Sequence, residues 1–378
     1  MFKEFMKSIS KLLLFLFIFP GRGGSQETEF PLVNINDPAP PLQLREWIKG
    51  TPIQRFDKGK VYVLEFWATW CRPCIAAMPH LSTLAMKYKS KVSILGIDIY
   101  EKNSTSSEKI KRFVDSMGQR MNFAVATEDS NYMASGWLKS TGEEVNGIPR
   151  TFVVDAEGKL AWIGYPSELE GVLDKIINNT WDIKQASKKR NFDNRLHEMD
   201  DSINYVLMNY SGNSYKQDYI GKPDSALLVI NKIVRLEPKL KYAPFVASHT
   251  FNALLKSNMV KAYQYGKIVI ETATYEEPAY DVIINSIEWY SDKLKITPQI
   301  YQLGAKACEL QIKAIRYPEL TNMAKYYNRM ALWHWKANDK SAAIKAQKKA
   351  LEALIRNKKS SNEDIAAYEA SLHRYERL

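Results

Sequence analysis

Cys71 and Cys74 stand two residues apart in EFWATWCRPC, after the β-formers Val61, Val63, Leu64 and Phe66 and before the helix-forming run Ile75-Ala76-Ala77-Met78. This pattern places the pair on a strand-to-helix turn. Two thiols so spaced can close into a disulfide that reopens readily, which is redox chemistry. At a helix N-terminus the free N–H groups and the positive end of the dipole favour a thiolate, lowering the first thiol from about 8.5 toward roughly 3.5–7.5. Cys71 is therefore the predicted nucleophile, and Cys74, deeper in the helix, the resolving thiol. Arg72 between them either favours the thiolate further or points outward into solvent. Pro73 suits the first helical turn, where a missing N–H costs little.

With 378 residues the chain exceeds the roughly 100–150 of a single domain, and two domains are expected. Residues 1–25 read as a secretory signal: Lys3, Lys7 and Lys11 precede the apolar run Leu12 to Phe19, which ends at Pro20. That run is short of the roughly 20 apolar residues of a membrane span, so an uncleaved anchor is the lesser reading. Export implies a periplasmic location. Three cysteines in an exported chain this long argue against a stapled scaffold and for one functional pair plus a spare. The spare, Cys308, shares a helical stripe with Tyr301, Gly304, Ile312 and Ile315 and reads as a packed core thiol. His80, His197, His249, His334 and His373 form no metal-ligand spacing with one another, so neither a metal nor a cofactor is expected.

Of the formal charge of +11, the stretch from Gln185 onward holds +9, with 30 Lys and Arg against 21 Asp and Glu. These cations lie on what read as solvated helix surfaces without interleaved aromatics, which excludes nucleic acid as a partner. An anionic membrane surface or an acidic partner stays open.

Along the chain, strands are expected near 60–67, 92–97, 123–126, 151–155 and 160–163, the last two joined around Asp155-Ala156-Glu157-Gly158 as a hairpin. Helices are expected from Cys71 to about Lys89, over 108–114 after capping residues at 103–107, over 129–138 and over 169–177. The alternation predicts an α/β fold with a mixed sheet covered on both faces. From about Asn179 onward helical periodicity takes over. The domains are therefore placed at 26–180 and 181–378.

The Cys pair, Pro79 five positions after Cys74, and Gly147-Ile148-Pro149 before the β-rich Thr151-Phe152-Val153-Val154 resemble the thioredoxin superfamily. The stretch WIKGTPIQRFDKGKVYVLEFWATWCRPC is similar to its TlpA-type branch over roughly residues 37 to 180. The resemblance implies a thioredoxin fold with an N-terminal hairpin over 27–41 and a central insert formed by the 108–114 helix and the strand after it. It implies that Pro149 is cis and faces the Cys pair, with Ile148 bounding the partner groove. Trp67 and Trp70 take the aromatic positions flanking the thiols, although plain core packing explains Trp67 equally well. Glu65, six residues before Cys71, matches a buried acidic residue that exchanges a proton with Cys74; the rival reading turns it to solvent. Arg150 stands where the family usually has Thr, which would shift partner preference toward acidic segments. Ala77 stands where the cytochrome-maturation branch carries an acid, favouring general disulfide reduction over haem-thiol reduction. Peroxiredoxins need Pro seven and Thr three residues before their Cys, and Leu64 and Ala68 occupy those positions.

In the second half, Ala226 and Ala262 recur 36 residues apart, and Tyr327, Met330, Ala331, Trp335, Ala343, Ala350 and Leu351 resemble a tetratricopeptide unit. An array of helical hairpins follows, with its binding role resting on fold analogy. The expected function is a periplasmic thiol–disulfide oxidoreductase, more reductant than oxidant. Its substrates would be protein or small disulfides, a membrane or periplasmic thiol donor would recharge it, and a protein partner would sit on the helical half. The alternative is a scaffold that recruits clients through its helices, with the redox domain auxiliary.

Overall fold

The computed structural model describes residues 31–102, 105–128, 130–212, 220–272, 278–356 and 360–377. The expected signal segment lies outside them. Strand β2, Val61–Trp67, is buried at every position, as a continuous apolar run predicts for the centre of a covered sheet. It pairs in parallel with β3, Val92–Asp98, and antiparallel with β5, Arg150–Val154. Adding β1 (Leu44–Lys49), β4 (Ala124–Glu128) and β6 (Leu160–Gly164) completes a six-stranded mixed sheet of order β1-β4-β3-β2-β5-β6. This is a thioredoxin fold.

Helix α1, Arg72–Lys87, leaves β2 directly; α2, Ser107–Met117, and α3, Leu169–Ile177, follow. Their apolar faces, with Leu81, Val114 and Leu173, pack with Val63, Trp67, Cys71 and Cys74 in one core. The odd-numbered side chains of β2 take this side, and Leu64 and Phe66 take the other, against Met133, Trp137 and Phe152.

Two expectations change and a third is met. Of the hairpin expected over 27–41, residues 27–30 lie outside the described residues, and 31–43 form no hairpin; they run beside β6, with the Asn36 N–H donating to the Leu160 carbonyl at 2.8 Å and the Leu160 N–H to the Asp37 carbonyl at 2.9 Å, and the edge strand is Leu44–Lys49, which the polar, charged LREWIK masked. The expected insert is present: its helix and strand join the sheet as a parallel crossover of β3, α2 and β4. The helix expected over 129–138 is found over 132–139, an α-helical start at 132–133 running into a π-type helix, Ala134–Lys139.

Beyond Asn178 the described residues form helices joined by turns and loops. The 26-residue α4, Ile183–Met208, is followed by α5 (Pro223–Leu236), α6 (Pro244–Ser257), α7 (Met259–Val269), α8 (Tyr280–Tyr290), α9 (Pro298–Ala314), α10 (Met323–Lys336), α11 (Lys340–Arg356) and α12 (Asn362–Arg377). Asp200 on α4 accepts the Phe245 and Val246 N–H groups at 2.8 and 2.9 Å, capping the start of α6 from a neighbouring helix. Cys308 is fully buried among Ile287, Leu303 and Trp333, and burial pushes its thiol up to about 12. It packs as expected.

Candidate active site

Cys71 is the N-cap of α1. Its backbone is extended while its sulfur accepts the Cys74 N–H at 3.3 Å, and the first helical turn carries no acidic residue to oppose a thiolate. Pro73 lies in that turn, as its fixed φ suits. The two sulfurs are joined as a disulfide, with both residues nearly inaccessible: Cys71 is 3% exposed and Cys74 1%. Arg72 is exposed on the helix surface.

The Ile148–Pro149 bond is cis, and the Ile148 carbonyl oxygen stands 3.7 Å from the Cys71 sulfur. Ile148 packs against both faces' cores, and Pro149 is buried behind it. Gly147, at φ 65°, lets the chain enter this loop. Trp70 is half exposed, its indole N–H donating to the Tyr100 carbonyl at 3.0 Å, so it stands at the rim of the thiols. Trp67 is fully buried and stacks on Phe113, which settles it as core.

Glu65 is buried, not solvent-facing. It shares the Val63 and Trp67 side of β2, the side on which Cys74 lies. Thr151 donates its hydroxyl to Oε2, while Oε1 has no hydrogen-bond partner among the described residues. Burial pushes the carboxyl up to about 8, against the opposing pull of Thr151 and the Arg150 charge. A group poised there exchanges a proton near neutral pH.

Arg150 requires correction. The resemblance placed it where it could meet an acidic partner, but it is 5% exposed, ion-paired to the buried Glu143 and laid over the Tyr165 ring at 4.6 Å. Its charge is spent inside the protein. Leu64 and Ala68, at the peroxiredoxin positions, are both fully buried and bring no hydroxyl beside Cys71.

Sequence reasoning missed three acids. Glu101 Oε1 accepts the Thr69 N–H at 2.6 Å, tying down the chain just before Trp70. Asp98, buried at the end of β3, is pushed up to about 9 by burial and by Glu101 and Glu128, so it is a protonated carboxylic acid at neutral pH. Asp98 sits in the apolar run VSILGIDIY, the same signal that singled out Glu65. Glu143, in a polar stretch, gave no such signal.

The family profile described as AhpC/TSA family matches residues 35–163. Protein FixW of Rhizobium leguminosarum is 31% identical over 162 residues, which cover 42% of this chain and 72% of that protein. Thiol-disulfide oxidoreductase ResA of Bacillus anthracis is 34% identical over 135 residues, 34% of this chain and 71% of that protein. Among solved structures, a thiol-disulfide isomerase from Corynebacterium glutamicum aligns with 39% of this chain and 97% of its own, at 20% identity and a TM-score of 0.33.

Proposed function

The chain belongs to the AhpC/TSA thioredoxin-like family and is a thiol–disulfide oxidoreductase, and from that premise we propose that it is an exported reductant of protein disulfides. The observation that carries this reading is the Cys71 sulfur at the N-cap of α1, 3.7 Å from the Ile148 carbonyl, with the buried Glu65 on the Cys74 side of the sheet.

In the reduced enzyme the Cys71 thiolate attacks one sulfur of a client disulfide, and the other client sulfur leaves as a thiolate. Cys74 then gives its proton to Glu65 and attacks Cys71 in the mixed disulfide. The client departs with both sulfurs reduced, and the enzyme keeps the Cys71–Cys74 disulfide. A thiol donor on the exported side of the membrane returns two electrons and two protons. Trp70 and Ile148 offer the client its contacts, with Arg72 at the exposed start of the helix.

Export rests on the charged and apolar pattern of the first 25 residues. Among the described residues no helix is long and apolar enough to cross a membrane. The helical half is read as a tetratricopeptide-like client-recruiting array, supported by small residues buried where the repeat pattern wants them: Ala226, Ala262, Ala331, Ala343 and Ala350.

Cys74→Ser should trap clients on Cys71 as mixed disulfides, whereas Cys71→Ser should trap none. Equal trapping through Cys74 would overturn the assignment of the nucleophile. Equilibration of the pair with glutathione should give a potential near about −270 mV; a value near about −120 mV would make the protein an oxidant.

A further inference from the structure

We infer that Arg190, on helix α4 of the helical half, is a positioning residue for thiol–disulfide exchange, acting through Glu143 on the loop that faces Cys71. The inference rests on the exchange reading given above and extends it to a residue outside the region the family profile matches.

Glu143 is 2% exposed and accepts from three side chains. Its Oε2 takes the Arg150 guanidinium and the Asn146 side-chain N–H, the latter at 2.8 Å; its Oε1 takes Arg190 at 2.6 Å. Asn146 and Arg150 are the two stems of the Gly147-Ile148-Pro149 loop. One carboxylate therefore staples both sides of the loop whose Ile148 carbonyl meets the Cys71 sulfur. Arg190 also donates to the Thr141 carbonyl at 2.7 Å, so it grips the approach to Glu143 twice.

Burial would raise the Glu143 carboxyl, but the Arg150 and Arg190 charges outweigh it and hold the group below the ordinary carboxylate range. Without Arg190, Oε1 is a buried anionic oxygen with no partner, and the carboxylate gains by turning toward water. That turn releases the loop stems. A second contact joins the two halves here: Arg316 pairs with Glu168 at 2.7 Å and lies 4.1 Å from the Tyr165 ring that Arg150 also covers.

The test is Arg190→Gln in the full chain, with Arg190→Lys as the variant that keeps the charge on a shorter stem without the planar guanidinium. Amide hydrogen exchange in Arg190→Gln should quicken about tenfold or more over residues 143–151, the scale of losing a hydrogen bond to a charged group, with helix 72–87 unchanged. KM for insulin disulfides should rise several-fold, while attack on a small aromatic disulfide and the Cys71 thiolate titration at 240 nm stay as in the parent. Arg190→Lys should fall between the two. Uniform acceleration of exchange along the chain, or an unchanged 143–151 segment, would overturn the inference, as would an equal loss toward both substrates. A parent protein inactive on insulin would instead overturn the reductant reading, leaving exchange over 143–151 to decide the role of Arg190.

Discussion

At the scale of single residues, the proton-acceptor role proposed for Glu65 would tie redox chemistry to stability through one proton. Its folded carboxyl titrates at about 8, far above an unfolded glutamate near about 4.3, so between those values the folded chain holds a proton that the unfolded chain releases. The stabilisation from this group is complete below the lower value and is lost as pH rises through about 8. Urea midpoints followed from pH about 5 to 8.5, a range chosen to span that window, should fall with rising pH less steeply in Glu65→Gln than in the parent. A residual slope of the same sign should remain from Asp98, which titrates at about 9. Resolution of the mixed disulfide should quicken in the parent as pH passes about 8, because the carboxylate form is the base, and Glu65→Gln should lack that rise. An identical profile in single-turnover measurements would assign the proton to water. The acid itself was legible in the sequence, as a charge within Val63-Leu64-Glu65-Phe66-Trp67. Asp98 carried an equal signal, and only Glu65 had a family position to draw the eye.

At the scale of elements, local pattern told most where one face of an element meets one core. Strand β2 and helix α1 begin and end within two residues of expectation, because a continuous apolar run and a proline-marked helix start leave little freedom. The edge strand Leu44–Lys49 escaped because its partner, Ala124–Glu128, lies about 80 residues on and its own face is half solvated. The ties of Glu143 escaped for the same reason: one of its partners belongs to a helix beyond the domain boundary. Two glycines separate loop shape from bulk packing. Gly147, at φ 65° and ψ −153°, occupies a region nearly closed to other residues, so Gly147→Ala should cost roughly 1–3 kcal/mol and slow exchange with protein disulfides. Gly304 lies where an added Cβ would sit 2.6 Å from the Trp333 ring, so Gly304→Ala should also cost about 1–3 kcal/mol by overpacking, with exchange at Cys71 unaltered. Denaturant midpoints and insulin turnover on the two variants check both halves of the contrast.

At the scale of the molecule, the sequence boundary near residue 180 marks where strands give way to helices but does not mark where packing stops. Trp181 donates to the Ala161 carbonyl at 2.9 Å, and Ile183 and Ala186 cover the sheet core. A chain cut after Asn179 loses this cover, whereas one ending at residue 194 keeps it along with Arg190 and omits Leu196, which packs within the helical half. The longer fragment should melt at least roughly 4 °C above the shorter, given the aromatic and aliphatic surface retained, and should reduce insulin with the lower KM. Equal melting temperatures would show that the sheet needs no helical cover. A helix seated on a catalytic loop by a buried carboxylate also obeys reciprocity: whatever free energy the helical half spends steadying the loop, a disulfide gripped by the loop returns to the seat of the helix. A protein bound anywhere along the helical array that tilts α4 would then change how tightly clients are held at Cys71, and a seated client would change how tightly that protein is held.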